Sequence, residues 1–513
     1  MSSKRWQLLH PILFALFPAI FLFAHNINQV PIVEVLPPVV FSLCLVVATL
    51  LPLWLFFRDI AKVGLGASIF VVFLFGYGHI FLAITRLLPL CSNYRIHSVL
   101  MPVMVCGLVC SELLIKKARR HFITTTKVLN IVSSALIVIS LTNIAVYKLR
   151  TFARRNYAIN TENTETYTAA PSASSRLPDI YYIILDRYSS AASLKEFYDF
   201  DDSEFVDFLA RRGFYVASQS HANYSCTALS LASSLNMKHI TYLGKTEGEK
   251  TDNWLPAYSM LTDYRVWRFL KSKGYKFVHL GSEWDPTSRN KYADMSFNLF
   301  GASEFALAVY KTTMLRPITR LLGITDPYME RYKRVQYQFE ALSTLPAIKD
   351  PTFVFAHILV PHEPYTFDEN GNFLSPEQAD KRSYRENFLG QIIFVNAKLK
   401  ALITKLQADC DIQPIIVVQS DEGQYPQGQY GFDLELASDA QIREKMGILN
   451  AYYLPDVNSN VLYPSITPVN SFRVIFNLYF GTELELLPDD SYISSNTHIY
   501  RFINVTDKLK SDN

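Results

Sequence analysis

Four side chains have types and positions suited to metal-assisted group transfer: Asp186, Thr227, His362 and Asp421. Thr227 lies in a run of small polar residues, 223–236, that is typical of a helix start. Ser, Thr and Asn favour helix N-caps, and the free N–H groups of a first turn attract anions. A hydroxyl at this place could attack phosphorus or sulfur while the helix end holds the oxyanion. Taken alone, the run is explained more simply as a capped core helix rich in Ser and Ala.

The acidic candidates follow predicted strands. Asp186 comes directly after the β-branched and aromatic run 179–185, and Asp421 with Glu422 lies just beyond the apolar run 414–419. In open parallel sheets, ligands bind beyond the carboxyl ends of the strands. Three carboxylates and the Thr227 hydroxyl could hold a divalent cation there. Such a cation lowers the pKa of a bound hydroxyl and neutralises a phosphoryl oxygen.

Each of these residues also has a plainer interpretation. A single Asp after a strand is usually a turn or cap residue, and Asp421-Glu422-Gly423 is consistent with an acidic turn. His362, between two prolines and two residues past the strand-like run 352–360, is typical of a loop. A functional interpretation is better supported for the four residues together than for each alone. Asp186, Thr227, His362 and Asp421 all fall near the carboxyl ends of predicted strands, where open parallel sheets bind their ligands.

The elements that must position these residues alternate between strands and helices. This alternation predicts an α/β domain with a mostly parallel sheet and helices on both faces. Besides the three strands above, strand-like runs lie at 214–217, 275–280 and 447–454. Helical patterns lie at 203–212, 261–273, 303–322, 329–345, within 376–408, and from Asn470 to Phe480.

A membrane part precedes this domain. Half of the 513 residues are hydrophobic, and the excess falls almost entirely before residue 147. About twenty apolar residues cross the hydrocarbon core of a bilayer. Five runs come near that length, which predicts a transmembrane helical domain at 1–147, a juxtamembrane linker at 148–177 and an extracytoplasmic catalytic domain at 178–513. The runs are 8–24, 35–57, 63–84, 98–115 and 128–147.

The orientation follows from Lys and Arg in the short connections. Positive charge is concentrated at the N-terminus and in the second and fourth connections, which places the N-terminus in the cytoplasm. After five crossings the large domain lies outside, and we expect a multi-pass protein of the plasma (inner) membrane. Four cations after the last span favour the opposite orientation, but long domains translocate largely regardless of charge. They are Lys148, Arg150, Arg154 and Arg155.

Charge and cysteine content exclude other classes. A net charge of +3 without a basic stripe gives no reason to expect nucleic acid as a partner. The six cysteines form neither a disulfide framework nor a CxxC metal pattern.

The ordered set of motifs resembles the sulfatase-like branch of the alkaline phosphatase superfamily. The set comprises Leu185-Asp186-Arg187-Tyr188, the Thr227 run, the segment from His357 to Pro364, and Ser420-Asp421-Glu422-Gly423. Five spans followed by an outer catalytic domain are similar to lipoteichoic acid synthases and lipid A phosphoethanolamine transferases. The resemblance covers roughly residues 178–487.

The resemblance implies a role for each matched residue. Asp186 and Asp421 match metal-binding carboxylates, and Thr227 matches a threonine nucleophile that also ligates the metal. His362 matches a histidine that contacts substrate, and His357 resembles an upstream position of the same segment.

Two departures from the family pattern bear on the chemistry. Cys226-Thr227-Ala228-Leu229-Ser230 lacks the proline and arginine of the Cys-x-Pro-x-Arg motif, which argues against a formylglycine sulfatase. Glu422 stands where the family usually has histidine, so we predict it as a ligand in an all-oxygen site. Such a site favours manganese, magnesium or calcium over zinc, and we expect one divalent metal ion.

The expected activity is that of a membrane-anchored transferase or phosphodiesterase. By resemblance, it moves a phospho-substituent from a lipid donor to a glycan or lipid acceptor through a phospho-threonine intermediate. Two alternatives stay open: a sulfate or phosphate ester hydrolase of the same fold, and a non-catalytic protein that retains the fold to bind glycans or partners. Glu422 is the feature that favours the second alternative.

Overall fold

The computed structural model describes residues 5–88, 93–119, 122–158, 177–299, 302–324, 326–426, 429 and 432–510. The chain divides into two compact units. Unit 1 consists of Met1–Thr161 and Ala302–Asp326, and unit 2 of Glu162–Gly301 and Pro327–Asn513. Most of the predicted linker, residues 159–176, lies outside the described residues.

Unit 1 contains the five predicted spans, and each is a helix long and apolar enough to cross a membrane. Small residues allow the first and third helices to pack closely: Ala15 and Ala19 of the first helix and Ala67 of the third are fully buried. The fifth helix extends past the predicted span and takes up residues 148–158 of the predicted linker. The helices are α1 (Leu9–His25), α2 (Leu36–Phe57), α3 (Ile60–Leu87), α4 (Asn93–Lys117) and α5 (Ile123–Ala158).

Unit 2 is built on a mostly parallel seven-stranded sheet of order β2-β7-β6-β1-β5-β3-β4, as predicted. Strand β1 pairs in parallel with β5 and β6, whereas β7 is antiparallel to β6 and β2. A separate hairpin joins β8 and β9. The strands are β1 (Ile180–Leu185), β2 (Tyr215–Val216), β3 (Lys276–Leu280), β4 (Met295–Phe297), β5 (Thr352–Ile358), β6 (Ile415–Ser420), β7 (Asn450–Tyr453), β8 (Tyr492–Ser495) and β9 (His498–Asn504).

Helices cover both faces of the sheet, and the complete burial of the central strand β1 is the result. Every residue of β1 is buried. Tyr182 and Ile184 belong to the hydrophobic core on one face, and Tyr181 and Ile183 to the core on the other. A strand buried on both faces reads as a continuous apolar run rather than an alternating one.

The remaining helices confirm most of the predicted positions. Two predicted helices, 261–273 and 303–322, are each broken into two by a short non-helical connection. The helices are α6 (Ala191–Tyr198), α7 (Ser203–Arg211), α8 (Thr227–Asn236), α9 (Leu255–Thr262), α10 (Arg265–Ser272), α11 (Asp285–Ser288), α12 (Glu304–Lys311), α13 (Leu315–Leu321), α14 (Pro327–Thr344), α15 (Pro376–Ala379), α16 (Tyr384–Asp409), α17 (Asp439–Met446) and α18 (Pro468–Phe480). Of these, α12 and α13 belong to unit 1.

Candidate metal and group-transfer site

Three side chains that could hold a metal ion converge at the carboxyl edge of the sheet. Asp186 follows β1 and Asp421 follows β6, and the parallel register pairs Leu185 with Ser420. His357 lies within the adjacent strand β5, opposite Ile184. One ligand atom from each of Asp186, His357 and Asp421 lies within 4.8 Å of the other two. The sequence predicted the two carboxylates here, and the sheet adds the imidazole.

These side chains leave buried polar atoms unsatisfied. Asp186 Oδ1, His357 Nε2, Asp421 Oδ2 and Glu422 Oε2 are all buried without a hydrogen-bond partner among the described residues. An unpaired buried polar atom costs about 1–3 kcal/mol, and more when it is charged. Four such atoms at one sheet edge fit a bound cation that takes their lone pairs.

The charges at this edge favour a divalent cation. Glu422 and Glu363 form ion pairs with Arg187 and Lys445, and the carboxylates of Asp186 and Asp421 take no part in these pairs. Burial, with repulsion from Asp186 and Glu422, raises the pKa of Asp421 well above its usual range. Burial also acts to raise the pKa of Asp186, but His362 and His357 outweigh it, so that pKa is lowered. Two adjacent buried carboxylates of this kind need added positive charge.

A hydroxyl network fixes the His357 ring. Its Nδ1 atom lies 2.8 Å from Thr287 Oγ1, which in turn lies 2.7 Å from Ser282 Oγ. When Nδ1–H donates to Thr287, the Nε2 lone pair faces Asp186 Oδ2 at 3.6 Å. A partner on the far ring nitrogen is the usual arrangement for a metal-binding histidine.

Thr227 stands beside this cluster as the first residue of α8. Its hydroxyl lies near the Asp421 carboxyl group, where it acts to lower the pKa of Asp421 against the larger effect of burial, and its side chain is partly accessible. The cap position belongs to Cys226, whose side chain makes no capping bond. Burial raises the pKa of the Cys226 thiol to about 12, so the thiol stays protonated at neutral pH. At this helix start the threonine hydroxyl therefore stays the predicted nucleophile rather than the thiol.

Glu422 forms ion pairs with two cationic side chains, unlike a carboxylate that serves only as a metal ligand. Its Oε1 atom accepts from Arg187 Nε at 3.0 Å and lies 2.9 Å from Lys445 Nζ. The predicted role of Glu422 as a metal ligand stays a prediction, which only its unpaired Oε2 atom supports. Because His357 supplies a nitrogen donor to the cluster, the all-oxygen set expected from the sequence is not the set that the sheet assembles. Imidazole also suits zinc, so the donor set itself does not select one metal.

Arg187 and Lys445 were not recognised from the sequence as parts of the site. Arg187 follows Asp186 and has a positive φ of 65°, an uncommon conformation that clusters at functional sites. Lys445 is fully buried and comes from α17, and both cations pack on the Tyr425 ring. Buried Lys and Arg are rare unless paired. The motif around Asp186 gave a signal for Arg187, but nothing in the sequence near Lys445 does.

His362 lies on the loop after β5, next to the metal cluster. Its backbone N–H donates to Asp186 O at 3.2 Å, and its side chain is 23% exposed. Burial lowers the pKa of His362 against the opposite effect of Asp186. Substrate contact by this partly exposed ring stays a prediction.

Arg331 of α14 holds this loop in place. Its guanidinium donates to the backbone oxygens of Leu359, His362 and Glu363 and pairs with Glu283 at 2.5 Å. Three carbonyls bound by one buried guanidinium fix the path of the loop. Sequence reasoning missed Arg331, because it lies in an ordinary amphipathic helix.

Comparison with known proteins gives structural matches only. No protein-family model matches the chain, and no curated protein matches it. The C-terminal periplasmic domain of EcEptC from Escherichia coli matches at 13% identity and a TM-score of 0.43, covering 66% of this chain and 97% of that one. The same domain was also solved in complex with Zn.

Two further matches come from other bacteria. The putative sulfatase yidJ from Bacteroides fragilis matches at 13% identity and a TM-score of 0.40, over 65% of this chain and 84% of that one. The periplasmic domain of phosphoethanolamine transferase EptC from Campylobacter jejuni matches at 10% identity and a TM-score of 0.37, over 61% and 92%. The two groups of enzymes are those that the sequence resemblance named. At these identities the activity has to be argued from the residues of the site.

Proposed function

We propose that this chain is a membrane-anchored, metal-dependent transferase or phosphodiesterase. It moves a phospho-substituent from a lipid donor to a glycan or lipid acceptor. The observation that carries the proposal is the cluster of Asp186, His357 and Asp421, whose buried ligand atoms include unpaired ones, with the Thr227 hydroxyl near Asp421. A plain structural cluster would have satisfied these atoms internally.

Asp186, His357 and Asp421 would hold the metal, with Thr227 and Glu422 as further candidate ligands. When bound, a divalent ion supplies positive charge that favours the ionised hydroxyl and neutralises a phosphoryl oxygen. Asp421, near the Thr227 hydroxyl, is placed to accept its proton or its hydrogen bond during the reaction. The first-turn N–H groups of α8, which begins at Thr227, favour an anionic group beside them.

The reaction has two displacements. In the first, Thr227 Oγ loses its proton and forms a bond to phosphorus while the bond from phosphorus to the leaving oxygen of the donor breaks, and that oxygen takes up a proton and departs as an alcohol. In the second, the oxygen of an acceptor hydroxyl, or of water, loses its proton and bonds to phosphorus while the bond from phosphorus to Oγ breaks, and Thr227 regains its proton. His362, fixed by Arg331 and its neighbours, is placed to contact the substrate during both steps.

The five helices that can cross a membrane support a lipid donor. Lys and Arg in the short connections support a cytoplasmic N-terminus and an extracytoplasmic unit 2 in the plasma (inner) membrane. We propose this location together with the activity.

The test uses the full chain in nanodiscs, a phospholipid donor and mass spectrometry. Thr227→Ala should abolish turnover and the adduct on residue 227 while metal binding persists, whereas Thr227→Ser should retain part of both. Cys226→Ala is the matched control and should stay active, because its protonated thiol takes no part. Full turnover in Thr227→Ala would refute the nucleophile.

Substrate probes separate the alternatives. A phosphodiester should be processed faster than an aryl sulfate or a phosphate monoester, and the reverse order would favour an ester hydrolase. If equilibrium dialysis detects no bound manganese, magnesium or zinc, the non-catalytic binding role is the better explanation.

A further inference from the structure

The segment Ala302–Asp326 lies between soluble elements in the sequence but belongs to unit 1 with the membrane helices. It forms a helical hairpin in which α12 and α13 are joined by the turn Thr312-Thr313-Met314. We call residues 302–326 the hairpin segment.

The turn of the hairpin segment bonds to the backbone of α3. Gly78 N–H donates to Thr312 O at 2.8 Å, and Leu74 O accepts from Met314 N–H at 2.9 Å. Gly78 and Leu74 are four residues apart, so a regular helix joins these same two groups to each other. Non-helical backbone is tolerated at membrane depth only where its polar groups are satisfied by protein or water. The turn meets that condition by binding to α3.

Glycine makes this close approach possible. A Cβ atom on Gly78 would lie only 2.5 Å from Thr312 Cα, whereas a Cβ on Gly76 would meet nothing within 4 Å. Leu74 is the fifteenth residue of the 28-residue helix α3, so the turn meets α3 near the middle of its length. Small residues are the usual means by which membrane helices admit a neighbouring backbone.

The hairpin segment buries some of its large side chains against the membrane helices and exposes others. Phe305, Val309 and Met314 are buried in the hydrophobic cluster of the spans, and Phe305 meets Phe23 edge-on at 6.4 Å. Arg316 lies over the Phe81 ring at 5.9 Å. Large apolar side chains point outward on the other face of α13 and beyond it, and they are Ile318, Leu321, Leu322 and Ile324, exposed by 40%, 80%, 64% and 64%.

We propose that the hairpin segment is re-entrant: it enters the half of the membrane that holds the C-terminal end of α3, and its outward face contacts lipid acyl chains. Charged side chains inside a membrane face the protein, and apolar ones face lipid. Arg316 and the four exposed apolar residues follow that division. Arg320 of α13 is exposed beside them, and its long side chain can extend its charge toward the headgroups. The proposal is independent of the activity proposed above, since it concerns unit 1 alone.

The first experiment measures contact with lipid directly. Leu321→Trp is made in the full chain and placed in phosphatidylcholine nanodiscs with ordinary or acyl-brominated lipid. Bromine quenches tryptophan on contact, so the emission added by the new residue should fall by about twofold or more in brominated lipid. Leu436→Trp is the control for exposure, because Leu436 in unit 2 is 82% exposed. Emission from Leu321→Trp that brominated lipid leaves unchanged would overturn the proposal.

The second experiment tests docking on α3. In the Leu321→Trp background, Gly78→Ala should displace the turn and reduce the quenching, while Gly76→Ala should leave it as it was. Equal quenching in both glycine variants would show that the turn does not bind at Gly78. Both variants add one methyl group to the same helix, so a general loss of folding would affect them alike.

Discussion

Glu422 Oε1 lies 2.9 Å from Lys445 Nζ, and both side chains are almost completely buried. Removing one member of a buried ion pair costs about 3–5 kcal/mol when the other charge is left uncompensated. Because Glu422 keeps Arg187 as a second partner, we expect Lys445→Met to lower the free energy of unfolding by less than that amount. The double variant Glu422→Leu/Lys445→Met should recover much of the loss, because Arg187 keeps Glu363 as its partner. Urea titration of both variants checks this, and purely additive effects would show that the pair is not coupled.

Metal binding should depend on His357. Replacing this ligand with Gln is expected to weaken the affinity for manganese or zinc by at least about 100-fold, since even residues behind the ligands typically contribute 10- to 100-fold. His279→Gln is the matched control, because His279 is also a buried histidine but its Nε2–H donates to the backbone oxygen of Thr287 outside the cluster. Equilibrium dialysis of the full chain measures both affinities, and similar losses in the two variants would contradict the assignment.

Removal of the metal should destabilise unit 2. Without a cation, the buried Asp186 and Asp421 carboxylates repel each other and keep unpaired atoms. A chelator should therefore lower the midpoint of thermal unfolding, and added manganese should restore it. In Asp186→Asn/Asp421→Asn the repulsion is absent, so the chelator should have no effect there. A chelator effect that persists in this variant would place the metal elsewhere.

Arg331 is expected to act as a positioning residue for His362. Arg331→Met removes donors to three loop carbonyls, so amide hydrogen exchange of residues 359–363 should speed up. Turnover should fall while metal affinity stays unchanged, because Arg331 is not part of the metal cluster. Arg331→Lys should rescue little, since a compact ammonium group cannot reach all three carbonyls. Unchanged exchange in the loop would show that the loop keeps its path without this side chain.

We expect the folding stability of the chain to depend on pH through Asp202, which lies outside the candidate metal site. It accepts a hydrogen bond from Asn396 Nδ2 and lies 3.0 Å from the Tyr188 hydroxyl, and burial raises its pKa to about 6. A carboxyl group whose pKa is raised by folding stabilises below its unfolded pKa, and that stability is lost as the pH rises through the folded value. The loss between about pH 4 and pH 6 amounts to about 3 kcal/mol, from 1.36 kcal/mol per pKa unit.

Asp202→Asn should remove this pH dependence and be more stable than the parent chain at pH 7. The amide can still accept from Asn396 and can donate to the Tyr188 hydroxyl, which already donates to Asn396 Oδ1 at 2.5 Å. Urea titrations from pH 4 to pH 8 give the comparison. A parallel pH profile in the variant would show that Asp202 does not retain its proton in the folded chain.

Composition and periodicity predicted the parts of the fold that depend on local pattern. The five spans, the parallel strands, and Asp186 and Asp421 at their ends follow from apolar runs and from a general rule about sheet edges. His357 was placed with the substrate rather than the metal, because the register between β1 and β5 cannot be read from either strand alone. Lys445 and Arg331 come from helices far along the chain, and only packing brings them to the site.

The hairpin segment shows a different limit of sequence reasoning. Residues 303–322 were predicted as one helix of the catalytic domain, since an amphipathic pattern does not show which apolar surface it will meet. The structure groups them with the spans through two backbone hydrogen bonds that no pattern encodes. The available signal for membrane contact was the group of large apolar residues Ile318, Leu321 and Leu322.

The grouping of Ala302–Asp326 with unit 1 means that the polypeptide passes between the two units three times. A protease that cuts once between residues 159 and 176 would therefore not release unit 2 from unit 1. The two covalent connections that flank the hairpin segment would still join the units. After such a nick, unit 2 should remain in the pellet on alkaline carbonate extraction. Its release would require a second cleavage on each side of the hairpin segment.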